Sequence, residues 1–446
     1  MGRRLKTASG IAETELMIFD LLTGVEGTTT ASFTGNKISQ KDIRLLRSLA
    51  SEMAELAGCP VEDEKRELWY AHNDLQLVRP LVFCDPERGW SEIIPDDSLT
   101  CEGELARRWE MFLRKEIFWG ASMKDDKVIE PYFNIPYFAI ESDWGLQETI
   151  IGGQDRGSYI WKAPLKEFRD VDRLHPPIIT VDYDKTRQLL EQAEEIFMGS
   201  LRVRLKGIWW WSLGLTMTLS RLRGLEQIMF DMVDNPDRLH KLMAFIRDAT
   251  LHEVDFLEQN GLLSLNNDNT PVGSGGFGWT RQLPQQDYDM AHIRTRDMWG
   301  FAESQETTGV SPRMFDEFVF QYQYPILARF GLNCYGCCEA LNTRWDIIKK
   351  IPNLRRVSVS PWADVRDMAE KLQDKYIFSL KPHPGYLAVT PIDEDFIRKN
   401  LREVLQMTKA NHCHVEIIMK DNHTLANHPE NALRWCQIAK EEAASL

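Results

Sequence analysis

The chain has 446 residues, 43% of them hydrophobic, and a formal net charge of −14. That length suits one elaborated domain or two modest ones. The acidic balance argues against a general nucleic-acid binder, which needs a basic face to displace counterions. Eight thinly spread cysteines, with Cys334 and Cys337 making one lone CxxC, do not form a secreted disulfide pattern. The charged start Met1-Gly2-Arg3-Arg4 has no apolar stretch after it, and no run reaches the ~18 apolar residues of a membrane span. A reduced cytoplasm is therefore the expected setting, with neither membrane nor nucleic acid as partner.

Lys41–Leu56 has helical spacing, and residues 1–75 are read as a helical extension, used for homodimer contacts or as a lid. Strand patterns then follow at Pro80–Cys84, Ile129–Phe138 (weakened by two prolines), Leu205–Trp210, Leu262–Asn267, Arg329–Tyr335, Arg355–Ser360, Lys375–Leu380 and Cys413–Met419. Between them lie amphipathic stretches: Leu222–Gln259, broken near Asn235-Pro236; Pro312–Phe330, starting at Ser311-Pro312; Asp364–Gln373; Pro391–Asn411; and Pro429–Ala444. Strands alternating with helices predict an α/β fold with a parallel sheet. Eight of them over residues 76–446 predict a (β/α)8 TIM barrel following the N-terminal helical extension.

In such a barrel the chemistry sits where strands end. The segments after the later strands are Asn266-Asn267-Asp268-Asn269, Tyr335-Gly336-Cys337-Cys338-Glu339, Ser358-Val359-Ser360-Pro361-Trp362, Lys381-Pro382-His383-Pro384 and Lys420-Asp421-Asn422-His423. Thiolate from Cys337, carboxylate from Glu339 and imidazole from His423 would make a three-ligand zinc site with one open position. Cys337 reads equally as a packing residue, Glu339 also as a helix N-terminal carboxylate, and His423 also as a loop hydrogen-bonder. Asp268, Tyr335 and His383 are the candidate catalytic groups beside them. Trp210, Asn267, Trp279 and Trp362 are the candidate substrate contacts, an aromatic pocket suited to a flat apolar ligand or a corrinoid ring. The run Gly273-Ser274-Gly275-Gly276-Phe277-Gly278 lacks the Lys-Ser/Thr of a phosphate loop and is expected to be a flexible loop at the mouth.

Three stretches carry a resemblance. Leu215-Thr216-Met217-Thr218-Leu219 through Arg223-Gly224-Leu225-Glu226 and on to Asp234-Asn235-Pro236 is one. Ser311-Pro312-Arg313-Met314-Phe315-Asp316-Glu317-Phe318 and Asn427-His428-Pro429-Glu430-Asn431 are the others. In order and spacing these resemble the uroporphyrinogen decarboxylase superfamily over roughly residues 75–446. The arginine motif of the true decarboxylases ("RQAGRY") is not found, so the resemblance points to the cobamide-dependent methyltransferase branch. In the coenzyme M members of that branch zinc is held by an "HxC" motif and a later cysteine. Here Cys337 falls on the motif's cysteine, Tyr335 stands where its histidine would be, and Asn422 or His423 replaces the second cysteine; Glu339 and His423 would be substitutes. The resemblance thus implies a zinc methyltransferase moving a methyl group from a small donor, an aryl methyl ether by preference, to the cobalt of a separate corrinoid protein. A decarboxylase-like lyase on a tetrapyrrole, a methylcobamide:thiol methyltransferase and a ligand-binding barrel without chemistry are the alternatives.

Overall fold

The computed structural model describes residues 38–146, 149–152 and 159–445. Two helices open it. Gln40–Ala57 starts at Ser39, whose hydroxyl accepts from the Asp42 N–H (3.1 Å), and Pro60–Asn73 starts on a proline that fits the first helical turn. Both are knitted into the rest. Trp69 and His72 are fully buried, and the Asn73 amide donates to the Phe277 and Trp279 carbonyls (2.9 and 2.6 Å). Residues 1–37 of the expected extension lie outside the described part.

Twelve strands follow: β1 (Leu81–Cys84), β2 (Tyr132–Ile135), β3 (Ala139–Glu141), β4 (Thr149–Gly152), β5 (Tyr159–Lys162), β6 (Ile179–Val181), β7 (Arg202–Leu205), β8 (Trp299–Ala302), β9 (Leu332–Tyr335), β10 (Leu354–Val359), β11 (Ile377–Leu380) and β12 (His414–Met419). Six form one sheet in the order β1-β12-β11-β10-β9-β8, parallel throughout. A second parallel pair joins β2 to β7, and two antiparallel pairs join β3 to β6 and β4 to β5. Every residue of β1, β8, β9, β11 and β12 is buried, as expected for parallel strands covered on both faces. The crossovers Val365–Leu372, Glu394–Ala410 and the final Glu430–Ala444 follow the helices read from sequence closely. The first two begin where Asp364 and Asp393 side chains accept the N–H three residues on.

Three expected features differ. The strand expected at Leu205–Trp210 ends where that stretch begins, since β7 runs Arg202–Leu205. Leu262–Asn267 forms no strand, whereas Trp299–Ala302, read as neither strand nor helix in the sequence, does. The two facts are linked. The Asn266 side chain reaches the edge of β8, its Oδ1 accepting from the Trp299 N–H and its Nδ2 donating to the Trp299 carbonyl (2.9 Å each). One amide side chain thus satisfies an edge position that a neighbouring strand would otherwise satisfy. The β1 edge is handled similarly: Asp126 accepts from Val82 N–H (2.8 Å) and Asp125 from Cys84 N–H (3.0 Å). The described strands thus make a six-stranded parallel sheet and three two-stranded pairs, an α/β architecture.

The glycine-rich run is not a flexible loop at the mouth. Ser274 through Gly278 are all buried, and the segment runs against the sheet interior, where the Gly276 N–H donates to Glu416 Oε1 (3.0 Å) and the Ser274 hydroxyl to the Gly336 carbonyl (2.8 Å). A Cβ on Gly276 would lie 2.4 Å from the Trp69 ring, and one on Gly278 1.8 Å from the Asn266 carbonyl oxygen. Glycine is needed here for close backbone approach, not for mobility.

Beneath this run lies a fully buried charged cluster. Arg356 (β10) faces Glu416 (β12) at 3.1 Å. Glu416 also accepts from the Ser379 hydroxyl (2.6 Å) and lies 3.3 Å from His72 Nε2, and the guanidinium sits 5.1 Å over the Trp299 ring. Burial pushes the Glu416 carboxyl up, but Arg356 first, then His72 and Lys381, override it and hold it well below the usual carboxylate range.

Candidate functional site

All six strands of the main sheet run in one direction, so their carboxyl ends share a side. The ends of β1 and β12 deliver Asp85, Glu87, Lys420, Asn422 and His423 to the wall of one cavity of about 660 Å³. The β2/β7 pair supplies the opposite side. Its register sets Asn134 across from Arg204, and Arg204 Nε donates to Asn134 Oδ1 (2.6 Å) while its guanidinium stacks on Tyr132 at 4.2 Å. Glu130 precedes β2 and Lys206 follows β7; both are buried and both line the cavity.

Aromatic rings close the remainder. Trp90 and Trp119 meet edge to face at 4.6 Å, Phe83 stacks on Trp119 at 6.1 Å, and Phe277 packs on Phe83 at 4.8 Å. Trp211 and Phe301 pair at 5.2 Å, and Trp209 and Trp210 complete that side. Rings in edge-to-face contact hold one another in place, so the wall is preformed.

The charges are unevenly satisfied. Asp268 accepts from Lys206 Nζ (2.6 and 2.8 Å) and from Arg204 (3.1 Å), so two cations share one carboxylate. Burial works against its ionisation, but Lys206 and Arg204 keep it below its usual range. Glu116 is paired with Lys127 at 2.5 Å, and that ammonium sits 4.6 Å over Trp119. Asp85 accepts from the Glu87 N–H (3.0 Å) and from Trp90 Nε1 (3.2 Å). Burial, then the nearby Asp85, pushes Glu87 up to about 8. Burial, then Asp268, pushes Glu130 up to about 7. The cavity thus holds two carboxyls poised near neutrality, and one of them, Glu130, lies near the corner where Arg204 and Lys206 outnumber Asp268, an arrangement able to exchange a proton with a ligand and stabilise developing negative charge on it.

Of the residues nominated from sequence, the cavity gathers Trp210 and His423, the latter exposed at its mouth. The expected zinc triad is not assembled. Both Glu339 oxygens are taken, one by the Ser304 N–H and hydroxyl (2.8 and 3.2 Å), the other by the Cys337 N–H (2.9 Å). Cys337 Sγ faces Cys338 Sγ at 3.6 Å, and neither Cys337 nor Glu339 lines the cavity that His423 borders. Among the described residues no group of three or more His, Cys, Asp or Glu is placed to hold an ion. These three side chains do not fit a zinc centre.

The other nominations have local roles. Tyr335 is fully buried, its hydroxyl donating to Gln323 (2.8 Å). His383 Nδ1 accepts from the Gly385 N–H (3.0 Å), and its ring meets Trp362 at 5.5 Å. Trp362 is 69% exposed. Asn267 donates to the Leu283 carbonyl (2.7 Å), and Trp279 is buried against Tyr70. Asp268 works from behind the wall through Lys206 and Arg204. Sequence reasoning missed Glu130, Arg204, Lys206 and the Asp85-Pro86-Glu87 turn. That last segment directly follows the first expected strand and was legible by the same rule that singled out the later ones.

No protein-family profile matches the chain, and no curated protein matches it. Among solved structures, a methyltransferase from Methanosarcina mazei aligns with 85% of this chain and 98% of its own, at 11% identity and a TM-score of 0.46. A likeness that distant bears on neither substrate nor chemistry. No described helix is long and apolar enough to cross a membrane.

Proposed function

We propose that this protein is a methyltransferase that takes a methyl group from a small donor, an aryl methyl ether by preference, and passes it to the reduced corrinoid of a separate protein. The observation carrying this reading is the aromatic-walled cavity at the carboxyl ends of β1 and β12. Its volume of about 660 Å³ falls within the roughly 300–1,000 Å³ of small-molecule sites. The tryptophan-lined wall suits a flat ring, and the corner where Arg204 and Lys206 share Asp268 suits an oxygen that gains charge as its bond to carbon breaks. The nucleophilic acceptor attacks the methyl carbon, the carbon–oxygen bond breaks, and its electron pair stays on the oxygen. The reading includes a cytoplasmic setting and the main sheet and the β2/β7 pair as staves of one (β/α)8 barrel. No step is assigned to zinc, since the expected ligands are not gathered.

The test is direct. Purified protein, a reduced corrinoid protein and methoxylated phenols are mixed, and the methylated corrinoid is followed by its absorbance. Growth of that signal with at least one donor is expected; its absence with every methyl donor tried rejects the reading.

A further inference from the structure

We infer that Glu130 is the proton donor to the leaving oxygen, an inference that rests on the methyl-transfer reading. Among the carboxyls of the cavity, Asp85 and Glu116 are held by partners, Glu87 accepts from the Asp421 backbone, and Asp268 behind the wall is committed to Lys206 and Arg204. Glu130 is different. It is 9% exposed and lines the cavity, yet among the described residues nothing hydrogen-bonds or ion-pairs with its carboxyl. Its carboxyl opens into the cavity, where a ligand oxygen can meet it. The charged groups acting on it are Asp268, Arg204, Lys206 and Arg66. Asp268 raises its pKa and the three cations lower it; burial is the largest influence and, with Asp268, outweighs the cations, so the carboxyl is pushed up to about 7.

The step balances without an added reactant. The acceptor's electron pair forms the new bond to the methyl carbon, and the ether carbon–oxygen bond breaks with its pair on oxygen. The Glu130 proton moves to that oxygen, leaving a phenol and a carboxylate. Arg204 and Lys206 then stabilise the new carboxylate, and it is reprotonated from solvent before the next turnover.

The experiment compares donors that differ in their need for a proton. With 4-methoxyphenol, whose leaving oxygen is basic, Glu130→Gln should lower kcat by about 100-fold or more, the usual scale of general acid catalysis, with KM little changed. With 4-nitroanisole, whose leaving nitrophenolate departs unprotonated, the loss should stay under about tenfold. Glu130→Asp should fall between. Equal losses for both donors, or no loss for either, overturn the assignment. A second readout needs no turnover: 4-nitrophenol is titrated with pH in the presence of the protein alone. Its ionisation midpoint should differ between the unaltered protein and Glu130→Gln, and an unchanged midpoint overturns the assignment. If the midpoint moves but no donor yields methyl transfer, the proton-donating contact stands and the methyltransferase reading falls.

Discussion

Replacing Glu416 with glutamine removes one negative charge from the sealed interior while keeping the side chain's shape. Arg356 and Glu416 are both fully buried and 3.1 Å apart. At that separation Coulomb's law with an effective dielectric constant of about 20 gives an attraction of about 5 kcal/mol. Removing one partner of a buried pair is expected to cost about 3–5 kcal/mol, because the stranded charge keeps its desolvation penalty. Glu416→Gln should therefore lose about that much in reversible denaturant unfolding. The double variant Glu416→Gln with Arg356→Met, which removes the stranded guanidinium and leaves Lys381 as the buried cation that faced Glu416, should recover part of it. The sign with pH is also fixed. The folded carboxyl titrates below its unfolded value, so its stabilising contribution is fully present above the ordinary carboxylate range of about 4.3. It is lost as pH falls through the folded value. The part of the gap between parent and single variant that this carboxyl sets should close only in strong acid. A loss under about 1 kcal/mol, or a double variant as damaged as the single, would refute the reasoning.

Further outcomes follow from other parts of the molecule. Gly278→Ala drives a methyl group into the Asn266 carbonyl and should cost more than about 3 kcal/mol; Gly199→Ala, with φ +88 and open space around it, should cost only about 1–2 kcal/mol of backbone strain. Thermal or denaturant melts of the two variants check the ranking. Burial pulls the Lys381 ammonium down to about 8, below its unfolded value of about 10.4. The unfolded chain therefore binds more protons between those values, and this lysine adds a rise in stability across that window. Unfolding curves at pH 7 and pH 10 should show the stability of the parent relative to Lys381→Met increasing with pH, and a constant difference would contradict the burial argument.

The elements with strong periodicity were readable in the sequence. The later strands at Arg355–Ser360, Lys375–Leu380 and Cys413–Met419 overlap β10, β11 and β12 closely, because each is a short run rich in β-branched and aromatic residues. The Asp364 and Asp393 helix starts were legible through capping chemistry. Leu262–Asn267 misled for a physical reason. Its apolar run is buried, but its edge bonding is done by the Asn266 side chain, which no periodicity encodes. Trp299–Ala302 was missed because Trp-Gly-Phe-Ala carries a glycine inside a four-residue strand, and so short a run lacks a period. The site was less legible than the fold. Cys337 and Glu339 have the chemistry of metal ligands, and only three-dimensional packing shows that the carboxylate is occupied by backbone donors. Glu130 offers no local signal at all, since its significance is the partner it lacks.

The buried tie between Gly276 and Glu416 spans 140 positions, and that between Asn73 and Arg356 spans 283. During synthesis the glycine segment therefore emerges long before the carboxylate that anchors it. Until β12 has left the ribosome, the charge of Arg356 has no counterweight and His72 lacks its carboxylate neighbour, so the nascent chain must carry an unfinished interior for most of its length. Truncations that stop short of His414 should be met by cellular quality control as unfolded chains, however intact the earlier helices are.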